Sequence, residues 1–236
     1  MRQLEILFVF LSCFLSLQAQ EPEIRSVIDK DGNVYKTVII GNYEWMAENL
    51  KTTTYNNGTK IPNITGSLEW TKLNSGAYCW YNNGEGNATI YGALYNWYAV
   101  NTGNLCPDGW RVPSDEEWKY LEGYVDNEYA IGDEIWNKTG LCGFDVALAL
   151  KASSGWDRDG NGLDRFGFKA LPGGERLSGD GRFFLLGLNG FWWTCDEDKT
   201  NENKALYRGL IYAYDQMMRY THDKTFGFSV RCIRDR

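Results

Sequence analysis

Ten tryptophans, fifteen tyrosines and eleven phenylalanines are spread along 236 residues, in stretches repeatedly cut by Gly, Asn and Asp. Large rings on short strands are covered only when several segments close over them together, and tryptophan is highly buried on average. The pattern predicts one packed body with a ring-filled core. Hydrophobic residues make up 43% and prolines number five, which supplies apolar surface for such a core and argues against disorder. No repeat of solenoid period, low-complexity tract or linker interrupts the chain, so a single domain over residues 24–235 is expected.

Residues 24–28 and 34–40 are β-branched runs around Asp29-Lys30-Asp31-Gly32-Asn33, where Asp-Gly reads as a hairpin turn. Gly41-Asn42 turns the chain again, and residues 43–46 return as a third strand. Residues 51–75 are polar and read as loop, and 77–81 as a short aromatic strand. Residues 91–100 carry Leu94, Trp97 and Tyr98 at helical spacing and predict a helix. A second helix opens at Ser114. Glu117 completes a capping box, Asp115 and Glu116 sit where the helix dipole favours acids, and Trp118, Leu121 and Tyr124 form the buried stripe. A short third helix is expected over 145–151. Strands follow at 167–171, 182–186, 191–194, 205–211, 217–220 and 227–233. An N-terminal hairpin, two main helices and antiparallel strands in the C-terminal half make an α+β domain.

Arg2, an almost unbroken apolar run over 6–17 and the small Ala19 predict a signal peptide over residues 1–19. No later segment reaches about 18 uncharged apolar residues, so no transmembrane segment is expected once the signal is removed. Cys13, after Leu11 and Ser12, is a lipid-attachment alternative, but Phe14, Leu15 and Leu17 continue the apolar run past it. Export permits disulfides. Five cysteines then remain, Cys79, Cys106, Cys142, Cys195 and Cys232, and an odd number leaves one thiol free or shared between molecules.

The formal net charge, 24 − 31 = −7, argues against a nucleic-acid partner, which needs a basic face. A single histidine, His222, argues against histidine metal sites and histidine acid–base chemistry. No G-x-S-x-G, H-E-x-x-H or phosphate-loop motif occurs, and no activated nucleophile is visible, so no enzyme activity is expected. Asp157-Arg158-Asp159-Gly160-Asn161-Gly162-Leu163-Asp164 offers alternating oxygen ligands, and Asp157, Asp159, Asn161 and Asp164 are the candidate calcium ligands. The twelfth position is Phe168 where an EF-hand needs Glu, and a solvated turn accounts for the same residues. The sequons at Asn57, Asn63, Asn87 and Asn137 fit an Asn- and Thr-rich surface.

Eight blocks resemble a family. They are DGNVYKTVIIG (31–41), WMAENLK (45–51), GAYCWYNN (76–83), YGALYNWYAV (91–100), CPDGWRVPSDEEW (106–118), FGFKALPGGER (166–176), GFWWT (190–194) and GFSVRCIRD (227–235). In this order they resemble the Fibrobacter succinogenes major paralogous domain, a bacterial exported domain of Bacteroidetes and Fibrobacteres. The resemblance implies a divergent C-type-lectin-like fold, also similar to that of the formylglycine-generating enzymes, and a surface or secreted location. It also implies a disulfide between Cys106 and Cys232. Cys142 and Cys195 are one candidate second pair, which would leave Cys79 free and buried, and the partners of these three stay open.

Neither motif of the calcium–sugar site of lectin-like domains is present: Trp192-Trp193-Thr194 is not followed by Asn-Asp, and Glu21-Pro22-Glu23 stands at the wrong end of the chain. Sugars also stack on aromatic rings beside amides and carboxylates. Trp70, Trp80, Tyr81, Trp156, Trp192 and Trp193 lie in or beside polar loops, with core filling as the alternative for each. Trp156, Trp192 and Trp193 are the ligand-binding candidates. Glu175 and Arg176 read as a turn with an ion pair. The expected function is a non-catalytic surface or secreted module that recognises a glycan or a partner protein. The rival is a structural subunit of a surface or fimbria-like array, linked through the odd thiol.

Overall fold

The computed structural model describes residues 25–236. The expected signal peptide, Cys13 and residue 24 lie outside the described residues. Short elements dominate. The chain runs β1 (Ser26–Ile28), β2 (Val34–Ile40), β3 (Tyr43–Met46), α1 (Ser67–Trp70), β4 (Tyr78–Cys79), α2 (Glu85–Tyr91), β5 (Leu94–Tyr95), α3 (Trp97–Val100) and α4 (Asp115–Val125). It continues through β6 (Gly140–Cys142), α5 (Val146–Leu150), β7 (Gly173–Arg176), β8 (Phe183–Leu186), β9 (Asn189–Glu197), β10 (Lys204–Ile211), β11 (Met217–Asp223) and β12 (Ile233–Asp235). The fold is α+β and rich in strands.

The expected hairpin forms, with Val27 opposite Tyr35. Asp29 organises its turn. One carboxylate oxygen accepts from the backbone N–H groups of Asp31 and Asn33, both at 2.9 Å, and the other from the Asn33 amide at 2.8 Å and the Tyr35 hydroxyl at 2.6 Å. β1, β2 and β3 build a four-stranded sheet that β12 completes, so the two ends of the domain are hydrogen-bonded together.

The larger sheet has the order β6-β11-β10-β9-β7-β8. Its neighbours run antiparallel except β7 against β9, which touch in parallel at Gly174 and Gly190. β9 is buried on both faces. Phe191 and Trp193 enter one hydrophobic cluster with Tyr207 and Phe228, whereas Trp192 enters another with Trp45, Trp118 and Phe168. The unbroken apolar run GFWWT is the sequence of a strand covered on both sides.

Residues 227–233, expected as one strand, are extended but pair with a different segment at nearly every step. Gly227 exchanges backbone hydrogen bonds with Arg176, and Phe228 with Tyr95. Ser229 N–H donates to Phe191 and its carbonyl accepts from Trp193; the Val230 and Cys232 carbonyls accept from Leu50 and Met46; Ile233 exchanges with Arg111. Only Ile233 belongs to a ladder, as the first residue of β12.

At the centre of this seam lies Arg231, fully buried and without a carboxylate among its hydrogen-bond partners. Its Nε donates to Asn49 Oδ1 at 2.9 Å, and its terminal nitrogens donate to the carbonyls of Met46, Phe168 and Lys169. The guanidinium lies 4.2 Å from the Phe168 ring centroid. Burial lowers its pKa to about 9, still far enough above neutrality to keep the cation. Asn49 Oδ1 also accepts from Trp192 Nε1 at 2.9 Å.

Other expectations change. The helix over 91–100 is broken into the end of α2, β5 and α3. At Gly92 φ is +75°, and a Cβ there would lie 2.7 Å from the Leu50 carbonyl. The Ala93 N–H then donates to that carbonyl, and Tyr95 pairs with Tyr78 and Phe228, so remote partners claim the backbone. The long α4 therefore stands where two main helices were expected, with its capping box intact. Tyr124 leaves the buried stripe and is 45% exposed, packing against Tyr120 and Phe166. Residues 167–171 make only the bridge Lys151 to Ala170. β6 and β7 were not expected. Arg176, on β7, makes no ion pair with Glu175: it donates to the carbonyls of Gly181, Ile64 and Thr65 and lies between the Trp70 and Phe183 rings.

Cys106 and Cys232 form a disulfide, as the resemblance implied. Cys79 is free and buried. Cys142 and Cys195 are also free, which corrects the second pair. They sit on β6 and β9 with β11 and β10 between them, so roughly three strand spacings of about 4.8 Å separate the two strands, beyond the ~7 Å that a disulfide spans.

The Cys106–Cys232 bridge closes a separation of 126 residues. Replacing both cysteines by Ala should lower the stability to denaturant by about 4–5 kcal/mol, read from the unfolding midpoint and slope. Arg231→Met should cost about 3 kcal/mol or more, because Asn49 and the carbonyls around it lose their donors in a dry interior. Arg231→Lys should recover only part of that loss, since a point ammonium cannot reach all these acceptors at once.

Candidate functional site

All ten tryptophans fall among the described residues, and nine are buried. Trp192 and Trp193 are completely enclosed, and Trp156 is 5% exposed. Their indole N–H groups are already used, Trp193 on the Tyr95 carbonyl at 2.8 Å and Trp156 on the Ala170 carbonyl at 2.9 Å. Trp156 is further held by Lys151, whose ammonium is 5.1 Å from the ring centroid and donates to the Tyr212 and Tyr214 carbonyls. Burial brings Lys151 down to about 8. These three rings are core and present no stacking face to a dissolved ligand. They are not one site either: Trp156 and Trp192 share one cluster, and Trp193 belongs to the other.

The candidate calcium loop is a tight turn with positive φ at Arg158, Asp159 and Asp164. Two of its four candidate ligands fasten the turn itself. Asn161 Oδ1 accepts from the Trp156 N–H at 3.0 Å, and Asp164 Oδ1 from the Lys169 N–H at 2.8 Å. Among the described residues no three His, Cys, Asp or Glu side chains come together as a metal site.

A cleft of about 370 Å³ opens beside the start of α4. Two of its three lining cations, Lys119 and Arg219, are spent on one carboxylate. Asp115 accepts from Arg208 at 2.8 Å and Arg219 at 2.7 Å, and lies 3.2 Å from Lys119. Burial opposes the charge on Asp115, but the two guanidinium groups outweigh it and hold the carboxyl well below the usual range. Glu122, bonded to Arg208 Nε through one oxygen, has its other oxygen buried without a partner, and burial pushes its carboxyl up. The cluster anchors α4 to β10 and β11.

The tenth tryptophan differs. Trp80 is half-buried just after β4, and Tyr78 supports its ring edge-on at a centroid distance of 5.0 Å. With Asp31, Asn33, Lys51, Thr53, Ala88 and Thr89 it lines a groove of about 390 Å³, within the range of about 300–1,000 Å³ usual for small-molecule sites. The hairpin turn supplies Asp31 and Asn33, the polar segment after β3 supplies Lys51 and Thr53, and α2 closes the side.

One residue ties these walls together. Asp31 accepts from the Thr53 N–H and hydroxyl, from the hydroxyls of Thr52 and Thr54, and from Lys60 at 3.3 Å. Burial is the largest single influence on Asp31 and raises its pKa, but the donors together outweigh it and hold the carboxyl well below the usual range. The Lys51 N–H is fixed on the Tyr35 hydroxyl at 3.0 Å. A ring face beside an amide, a hydroxyl and an ammonium suits a ligand with an apolar face and several hydroxyl edges. Trp80 was one of six rings considered from sequence. Its distinguishing signal is position: it stands directly before the polar turn Tyr81-Asn82-Asn83-Gly84, whereas Trp192 and Trp193 stand inside an unbroken apolar run.

A strand-rich α+β domain whose first and last described strands share one sheet, with a groove beside Trp80, is the class that these features define. The chain matches the family model of the Fibrobacter succinogenes major domain over residues 38–234 and belongs to that family. No curated protein and no solved structure matches it.

Glu175, on β7, is a buried carboxyl with no hydrogen-bond donor among the described residues, and burial pushes it up to about 7. Unfolded, it titrates near 4.5, so between these values the folded state holds more protons and stability falls as pH rises. Glu175→Gln should therefore be more stable than the parent at pH 8, by up to about 3 kcal/mol, and the difference should shrink towards pH 5. Thermal melts across that range check it.

Proposed function

We propose that this protein is an exported, non-catalytic binding module of lectin-like type, and that it holds a glycan in the Trp80 groove. One observation carries the reading: of ten tryptophans, nine are buried, and Trp80, the half-buried one, lines a polar groove. Export follows from the signal-like residues 1–19 and fits the Cys106–Cys232 disulfide, a bond favoured in oxidising compartments. A partner protein needs about 800 Å² of surface per side, whereas this groove has the scale of a few sugar rings.

Assembly into a surface array has one observation in its favour, the free and exposed Cys195. Its chemistry weakens that reading. Partial burial, Asp196 and Glu117 push the thiol up to about 11, so the reactive thiolate is scarce at neutral pH.

A glycan and polysaccharide screen on the purified protein, run with calcium and with chelator, tests the proposal. Specific binding is expected, and Trp80→Ala should weaken it about ten-fold or more while leaving the melting temperature within a few degrees. Trp192→Ala should instead unfold the protein, with a cost of about 3–5 kcal/mol. Absence of any glycan binding, or binding untouched by Trp80→Ala, sinks the reading.

A further inference from the structure

The Trp80 groove does not end at Thr89. A second recess of about 130 Å³ shares Lys51, Ala88 and Thr89 with it and continues past Glu48 towards Lys169 and Arg231. Together the two recesses form one furrow between the hairpin side and α2, with Lys51 at the junction. The charge along it runs against that of the chain as a whole. Three cations, Lys51, Lys169 and Arg231, face two acids, Asp31 and Glu48. Asp31 is ion-paired with Lys60 and its oxygens are taken by hydroxyl and amide donors. Glu48, which acts on Arg231 through its charge, accepts among the described residues only a long 3.4 Å bond from the Lys36 N–H. By contrast, the cleft beside α4 is lined by Asp115, Glu116, Asp196, Glu197 and Asp198 against three cations, and Asp115 binds two of these.

Lys51 has no ion pair among the described residues. Its ammonium lies 5.5 Å from the Tyr35 ring centroid, a contact that positions the charge without neutralising it. Lys169 is exposed and likewise has no ion pair among the described residues. Behind them, Arg231 contributes a fixed positive charge whose hydrogen-bond partners are carbonyls and an amide rather than carboxylates. In a chain of formal net charge −7, these free ammonium groups beside a tryptophan face have a specific use. They offer a counter-charge to an acid group on the ligand, at a site where electrostatic complementarity sets selectivity.

Resting on the glycan reading above, we infer that the ligand is an anionic saccharide: a sugar ring lies against Trp80 and its acid group meets Lys51, with Lys169 serving the next acid along the furrow. A uronic acid carries a carboxylate and a sulfated sugar a sulfate, and a lysine ammonium recognises either as a point charge.

The test compares three probes on the purified protein by calorimetric titration at low and moderate salt: a galacturonic-acid oligosaccharide, the same oligosaccharide as its methyl ester, and a sulfated galactan oligosaccharide. At least one of the two acidic probes should bind about ten-fold or more tighter than the ester, with an advantage that shrinks as salt is added. The tighter of the two identifies the anion. Lys51→Gln should bring that probe down to the affinity of the ester, Lys51→Arg should retain most of the difference, and Trp80→Ala should weaken all binding. If the ester binds as well as both acidic probes and Trp80→Ala still abolishes binding, the glycan reading stands and the anionic one is overturned. Equal loss of acid and ester binding in Lys51→Gln also overturns it. Failure of all three probes, together with the neutral glycans of the screen above, overturns both.

Discussion

The fold depends on a guanidinium buried with no ion pair among the described residues. Arg231 sits where the N-terminal sheet, β9 and the loop around Phe168 meet, and it satisfies carbonyls that no strand ladder reaches. A carboxylate there would be a second charge to desolvate, whereas carbonyls and an amide are polar groups that must be buried wherever irregular segments converge. One arginine thus replaces a set of backbone partners. Asn49 makes the arrangement specific, since its oxygen takes both Arg231 and Trp192 while its amide donates to the Tyr91 carbonyl at 2.9 Å. That last bond reaches the C-terminal end of α2, so the core hub and the groove wall are mechanically one unit.

The second organising feature is a sheet covered on both sides. Because Trp192 and Trp193 are neighbours on β9, they must point to opposite faces. Each then needs its own apolar cluster. This explains why a 236-residue chain carries ten tryptophans and why nearly all of them serve packing. It also explains why adjacency misled as a site signal. Two neighbouring rings on a strand cannot form one platform, and their polar neighbours in sequence, such as Asn189 and Thr194, turn out to be buried with them.

Local devices were legible in the sequence. The Asp-Gly turn, the Ser114–Glu117 capping box, and the runs that became β2, β3, β10 and β11 follow from rules that act within a few residues. The Cys106–Cys232 pair was legible through resemblance rather than spacing. What failed was wherever distant backbone decides. Residues 91–100 carry helical spacing, yet the Leu50 carbonyl and Phe228 take their N–H groups. Residues 227–233 carry strand composition, yet their partners are scattered over five segments. Glu175 and Arg176 looked like a turn with an ion pair, and lie on a strand with separate fates. Trp80 was visible as an aromatic residue but not as the exception, because exposure depends on how the other nine are packed.

The hairpin turn shows how a site can hide in a motif that already has an explanation. Asp29-Lys30-Asp31-Gly32-Asn33 reads as a turn, and a turn needs only one aspartate. Asp29 fills that role, capping the backbone N–H groups of Asp31 and Asn33. Asp31 is then free to face outwards, and it binds a segment more than twenty residues away, at Thr53 and Thr54. Its depressed pKa follows from this task, because a carboxylate surrounded by hydroxyl, amide and ammonium donors stays ionised far into acid. The segment it fixes is the one that carries Lys51. The placement of the groove's central cation therefore traces back to the second aspartate of the turn, a residue whose sequence neighbourhood predicts nothing beyond a bend.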